Sequence, residues 1–410
     1  MKYHVINMAF AILLAISAGS CSKSEPEAED IPFSPIELTG QTRSIVSGGN
    51  SFGYRLLKEA VQQEDNSFMI SPFSLTFALA LTADSATEEE EFDQISKILG
   101  FEGARRSDIR EYCSIMSERL PKLSEKVQVS TANAIVIDSD YGEPMAGFKD
   151  IATTCYNTML ESMPFKDNQE AVAKFINTWT KEETRGMIDK VISPLNVLPG
   201  HEIIANALYF KGQWKYKFEK KNTARHTFTD EEGKKTQVDM MSMDHGQLSE
   251  IPYFENNIFQ AVSLPYGNGA FEMTVYLPKS GYSLEDAADY LADKGKPKEN
   301  GISVREISLP RFSIKGNTVN LTGILSKMGC EYLTELNGDS QENILLIGRD
   351  IFQVSAIEVN ESGTEAATVT IIGYTTGVSQ DFCADHPFLY IISETSTGAV
   401  LFTGAYRGNE

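Results

Sequence analysis

The chain has 410 residues, 41% hydrophobic and 23% charged, enough apolar material for a large core in a soluble globular protein. Its formal net charge is −21, from 57 acids against 36 bases, which excludes a nucleic-acid binder, because phosphate recognition needs a basic face. The acids are dispersed along the chain, so the charge bears on solubility.

The first stretch reads as a processing signal. Lys2 precedes an apolar run, Ala9–Ile16, and small residues Ala18-Gly-Ser lead to Cys21. The run is too short for a membrane span. It resembles a bacterial lipoprotein signal, in which Cys21 becomes the lipidated first residue; an ordinary secretory signal is the alternative. That resemblance implies a membrane anchor in a bacterial envelope, periplasmic or surface-exposed, with acyl chains held at ~0.8 kcal/mol per buried CH₂. Residues 1–20 are assigned to the signal, 21–47 to an acidic flexible tether, and 48–410 to one domain. The remaining cysteines, Cys113, Cys155, Cys330 and Cys383, lack Cys-x-x-Cys spacing and read as buried free thiols.

Within the domain, Phe52, Leu56, Leu57, Ala60 and Val61 recur at helical spacing, which predicts an amphipathic helix capped by Asn50 or Ser51. Pro72 fits the first turn of a second helix running from Ser74 to about Thr82, with Ser71 and Ser74 as capping hydroxyls. Further helices are predicted over Glu88–Leu99 and Ser107–Leu120, then a β-branched strand over Val127–Asp138. Ala171, Phe175, Ile176 and Trp179 mark a helical face that reads as core packing. Ile203–Trp214 is a long buried strand whose apolar run is interrupted by Asn206, an amide that must find hydrogen-bond partners. Strands follow around Phe228, Val238–Met241, Phe259–Leu264 and Met273–Leu277. A helix covers Leu284–Asp293 and a short one Leu321–Met328, stopped at Gly329. Phe352–Val359 leads as a strand into Gly363, after which Thr368–Ile372 resumes a β pattern. Pro387–Ile392 and Ala399–Phe402 form a terminal hairpin. Strands and helices mix without strict alternation, so the fold class is α+β.

Between the two β patterns lie Thr364, Glu365, Ala366 and Ala367, which have little to bury outside and nothing too large to pack inside a sheet. No proline occurs from Glu358 to Ala384, so every residue there keeps the N–H a ladder needs.

Several of these stretches are similar to one family. Ile357-Glu-Val-Asn-Glu-Ser-Gly-Thr-Glu-Ala-Ala-Thr368 resembles the hinge of the serpin reactive-centre loop, and Phe382–Leu389 resembles the segment that re-enters the body after it. Ser71-Pro-Phe-Ser-Leu75, Ile176–Ile188, Ile203–Trp214 and Leu309-Pro-Arg-Phe312 resemble further serpin motifs, so the likeness covers about Asn50–Arg407. It implies a serpin fold: a large mixed sheet, smaller sheets, eight or nine helices and an exposed loop at about 361–381. It also implies that Ser71, Ser74 and Asn206 cluster beneath the point where the sheet opens. Where the family commonly carries His, this chain has Gln353, and where it usually has a second hinge Glu, this chain has Ser362.

The function implied is that of bait. A protease attacks the loop and forms an acyl-enzyme; the freed hinge, Glu361, Gly363, Thr364, Glu365, Ala366, Ala367 and Thr368, then enters the large sheet as a new strand. Gly363–Thr375 would span ~43 Å as a strand, and one net hydrogen bond per residue gives on the order of 10 kcal/mol. A displacement of ~1 Å in the protease active site can slow deacylation ~100-fold. The scissile bond falls within Tyr374, Thr375, Thr376, Gly377 and Val378. That window lacks Lys and Arg, which implies a chymotrypsin-like or elastase-like serine protease as covalent 1:1 partner, or a papain-like cysteine protease. A non-inhibitory serpin-fold binding protein is the alternative.

Other chemistry is weak. Gly49-Asn-Ser-Phe-Gly53 fits the nucleophile-elbow pattern and nominates Ser51 for an esterase, but a polar stretch rather than a strand precedes it. His386 beside Asp385 reads as a local pair at the start of a strand. No phosphate loop, metal cluster or cofactor motif rises above background, so neither catalytic residues nor cofactors are assigned.

Overall fold

The computed structural model describes residues 31–408, apart from 87, 145, 245–247, 299–302, 331–347 and 364–378. One sheet has five strands, in the order β11 (Phe312–Asn320), β12 (Gly348–Val359), β4 (His201–Gly212), β2 (Val127–Asp138) and β3 (Thr158–Met163). Its two central strands, β12 and β4, run parallel, while β11 and β2 flank them antiparallel.

A six-stranded antiparallel sheet joins β1 (Phe68–Ile70), β15 (Val400–Tyr406), β14 (Phe388–Glu394), β9 (Phe271–Pro278), β8 (Phe259–Tyr266) and β7 (Tyr253–Glu255). A four-stranded sheet joins β13 (Ser379–Cys383), β10 (Ser303–Pro310), β6 (Lys235–Met243) and β5 (Ala224–Thr229). Among the described residues there are eight α-helices: α1 (Gly40–Gln63), α2 (Pro72–Ser85), α3 (Glu89–Ile98), α4 (Arg106–Arg119), α5 (Phe148–Tyr156), α6 (Gln169–Glu183), α7 (Leu284–Lys294) and α8 (Leu321–Lys327). This is the expected α+β architecture.

The period-two alternation of the central strands gives the five-stranded sheet two buried faces. Ala134, Val136, Ile203, Ala205, Phe352, Val354 and Ala356 lie on one face and pack against Val172, Ala173 and Ile176 of α6. The other face belongs to the main core, shared with α1, α2 and the six-stranded sheet. Because the side-chain period is two, Asn133, Asn206 and Gln353, which occupy one cross-strand row, all point to that second face, toward the start of α2.

Two expectations fail at the N-terminus. The helix does not begin at a cap on Asn50 or Ser51; α1 begins at Gly40. The folded body also reaches into the stretch assigned to the tether, since Ile36, Ile45 and Val46 are buried. Gly48-Gly49 lies inside α1 and does not break it. Gly48 serves a close approach instead: a Cβ there would lie 1.9 Å from the Gly100 carbonyl oxygen. Asn50, mid-helix, donates from Nδ2 to the Gly398 carbonyl at 2.8 Å and accepts from the Val400 N–H at 2.9 Å, tying α1 to the terminal hairpin.

The four described cysteines are free. Cys113 and Cys330 are buried as expected, whereas Cys155 and Cys383 are half-buried. Burial pushes the Cys113 thiol well up, reinforced by nearby Cys155 and Asp84. Burial, with Asp385, Glu306 and Asp381 nearby, pushes Cys383 up to about 11.

Candidate functional site

The site is a seam. The β12–β4 ladder runs from Gly348 opposite His201 to Ala356 opposite Tyr209 and ends there. Each strand continues with its outer neighbour: Val359 pairs with Phe312 of β11, and Gly212 with Val127 of β2. The sheet is therefore split at one end, and residues 360–363 lie in the split.

Three bonds fasten them there. The Trp214 N–H donates to the Ser362 carbonyl at 3.1 Å, and the Phe218 N–H to the Glu361 carbonyl at 3.0 Å. The Trp214 indole Nε1 donates to the Asn360 carbonyl at 2.9 Å, while its ring stacks on Tyr266 at 4.1 Å between centroids. Asn360 closes the turn by accepting from the Ser362 N–H at 3.0 Å and bridging to Gly363. Gly363 has φ +82°, and a Cβ there would stand 2.2 Å from the Gly212 carbonyl oxygen, so both conformation and contact require glycine.

Glu361 is the charged anchor. Arg311 Nε donates to its Oε2 at 2.8 Å, a second guanidinium nitrogen reaches Oε1, and the Thr223 hydroxyl donates to the same oxygen. Burial pushes this carboxyl up, but the Arg311 and Thr223 bonds outweigh it and hold the group below the usual carboxylate range.

A polar cluster lies under the seam. Ser71 caps α2 by accepting from the Ser74 N–H at 3.0 Å, and its hydroxyl donates to the Leu401 carbonyl at 2.6 Å. Gln353 Oε1 accepts from the Ser71 N–H at 2.6 Å, and its Nε2 donates to the Ser71 carbonyl at 3.1 Å and to Asn206 Oδ1 at 3.4 Å. Asn206 Nδ2 donates to Asn133 Oδ1 at 2.7 Å, which also accepts from the Ser74 hydroxyl at 2.5 Å. Ser71, Ser74, Asn206 and Gln353 are thus brought together, and the glutamine both donates and accepts.

Four residues went unassigned in the sequence: Asn133, Arg311, Thr223 and Trp214. Asn133 could have been found, since it interrupts an apolar strand just as Asn206 does. The others could not be ranked by local pattern, for Arg311 and Thr223 lie 50 and 138 residues from Glu361. Thr364, Glu365, Ala366, Ala367 and Thr368, the window Tyr374–Val378, and Cys21 fall outside the described residues.

The enzyme-like candidates dissolve. Ser51 sits inside α1, exposed, with its hydroxyl on the Ser47 carbonyl at 3.0 Å, so no strand-turn-helix elbow exists there. His386 Nδ1 lies 2.8 Å from Asp385 and Nε2 lies 2.8 Å from the Pro278 carbonyl, a local brace at the start of β14. Among the described residues no cluster of His, Cys, Asp or Glu could hold a metal ion, and no helix is long and apolar enough to cross a membrane.

Comparison with known proteins meets this geometry. The family model described as serpin (serine protease inhibitor) matches residues 47–408. An uncharacterized serpin-like protein of Thermococcus kodakarensis is 31% identical over 382 residues, covering 89% of this chain and 86% of the relative. Serpin-ZXA of Oryza sativa subsp. japonica is 30% identical over 362 residues, covering 82% and 88%. Among solved structures, Serpin48 of the insect Tenebrio molitor superposes with a TM-score of 0.77 at 25% identity, covering 91% of this chain and all of that one. Arabidopsis AtSerpin1 in its native stressed conformation gives 0.75 at 26% identity, covering 90% and 98%. A hinge lodged in a split sheet over a hydrogen-bonded cluster, on this fold and with these relatives, places the chain in the serpin family.

Proposed function

We propose that this serpin is an inhibitor that traps its target protease as an acyl-enzyme. One observation carries the reading: the sheet is parted between β4 and β12 at the end from which Gly363 launches the loop, so a strand can enter there. The loop's far end returns to β13, in a different sheet, so a cut frees one end of the chain while the other stays anchored. The protease nucleophile adds to the scissile carbonyl within Tyr374–Val378, the peptide C–N bond breaks, and the new amine leaves with the β13 side. The ester stays on the hinge side and travels with it into the seam. Water then meets a displaced active site, and deacylation stalls.

Absence of Lys and Arg from that window favours a chymotrypsin-like or elastase-like serine protease; a papain-like cysteine protease is the second class. The N-terminal signal supports lipidation at Cys21 and a place on a bacterial envelope, with the tether extending to about residue 35. Incubating the protein with chymotrypsin and elastase should give an SDS-resistant band of summed mass. Clean cleavage in Tyr374–Val378 without that band would favour the non-inhibitory serpin-fold reading instead.

A further inference from the structure

We infer that two side-chain pairs at the closed end of the seam, Glu202–Arg349 and His201–Asp350, are positioning residues that set how far the sheet opens; this rests on the inhibitory reading above. Both pairs cross from β4 to β12. Arg349 donates to Glu202 at 3.1 Å with side-chain exposures of 5% and 9%. His201 Nδ1 lies 2.8 Å from Asp350 Oδ2, and both side chains are 20% exposed.

The alternation of the strands puts them on opposite faces: His201 and Asp350 share the face of Ile203 and Phe352 with α6, while Glu202 and Arg349 share that of Asn206 and Gln353. The imidazole also lies over the partner strand. A Cβ on Gly348, which pairs with His201, would come within 2.7 Å of the ring, so glycine there makes room for it. The last rungs are thereby fastened from both sides.

Above them the rungs carry no charged residue: Ile204, Ala205, Ala207 and Tyr209 face Ile351, Phe352, Val354 and Ala356, with one side-chain hydrogen bond across, Gln353 to Asn206. Uncharged side chains break no ion pair when one neighbouring strand is exchanged for another. The lower pairs differ. An inserted strand takes β4 and β12 from ~4.8 Å to ~9.6 Å apart, and contacts of hydrogen-bond length cannot follow. Glu202 and Arg349 would be left almost dry without each other, the costly way to treat a buried pair. Continuing the antiparallel register of Asn360 opposite Gly363 brings Gly373, Tyr374 and Thr375 to these rungs, and none of them carries a charge. Insertion therefore runs easily down the upper seam and is braked at its end.

Two synthetic peptides copied from the chain test this on the uncut, full-length protein. Thr364–Ile371 ends above the fastened rungs, and Thr364–Thr376 reaches them. Annealing is followed by native electrophoresis and by the rise in melting temperature. The Glu202→Met/Arg349→Met double variant, which removes both charges at similar volume, should take up the long peptide about tenfold faster than wild type. His201→Asn, at the more exposed pair, should do so about two- to threefold faster and remains informative if the double variant folds poorly. The short peptide should anneal at the wild-type rate in both. Equal acceleration of both peptides, or of neither, overturns the inference while leaving the inhibitory reading intact. Failure of both peptides to anneal to wild type overturns that reading as well.

Discussion

Glu361 is 2% exposed, yet it stays charged because Arg311 and Thr223 donate to it. Its folded pKa lies below the ordinary value, so the stability it contributes is complete above about pH 4.3 and is lost as pH falls through the folded value. Glu361→Gln should therefore flatten the acid limb of a urea-midpoint profile below about pH 4.3, where the wild type declines. Arg311→Ala removes the partner and leaves the carboxylate buried, which should cost about 1–3 kcal/mol at neutral pH in denaturant unfolding. Cys383 offers a different test. With its thiol pushed up to about 11, the reactive thiolate forms only in strong base. Iodoacetamide should label it very slowly at pH 7.5, with a rate still climbing at pH 10; fast labelling at pH 7.5 would contradict the burial described for it.

At the scale of elements, α1 shows two physical effects with opposite signs. Gly48 lies inside a helix, where propensity alone says that alanine would stabilise by about 1 kcal/mol. The methyl would meet the Gly100 carbonyl oxygen at 1.9 Å and its carbon at 2.6 Å, and both are backbone atoms that cannot swing away. Overpacking of this kind costs about 1–3 kcal/mol, so Gly48→Ala should lower stability on balance. Gly49→Ala is the control: the nearest atom to its Cβ would be Phe101 Cε1 at 3.9 Å, an ordinary contact, and that substitution should be neutral or stabilising by thermal melt. The same element explains why a glycine pair in a sequence is ambiguous, since it can end a helix or let one pack closely.

At the scale of the whole molecule, the question is whether the split sheet stores free energy. Inserting the loop adds on the order of 10 kcal/mol of ladder hydrogen bonds. For a chain of this size the unfolding entropy is about 0.8 kcal/mol per degree, so a nicked molecule should melt about 10–15 °C above the intact one. Scanning calorimetry before and after limited proteolysis within Tyr374–Val378 measures this directly. A nicked form that melts at or below the intact form would mean that the parted end of the seam is no spring.

Fold class, the glycine break at Gly363 and Asn206 were legible along the chain, because they are signalled locally: by the mix of strand and helix patterns, by a break inside a β pattern, by an amide in an apolar run; Gln353 came only from the family resemblance. The body between α1 and the terminal hairpin followed from the same cues. Partnerships did not. Arg311 meets Glu361, Asn133 joins Asn206, and His201 lies across Gly348 because strands distant in sequence pair in one register. Register is an outcome of packing two buried faces at once, and a shift by one residue would turn every one of these side chains to the other face. Residue types and spacing therefore decide that this chain carries a glycine break and a central sheet, and tertiary register alone decides which side chains meet across that sheet.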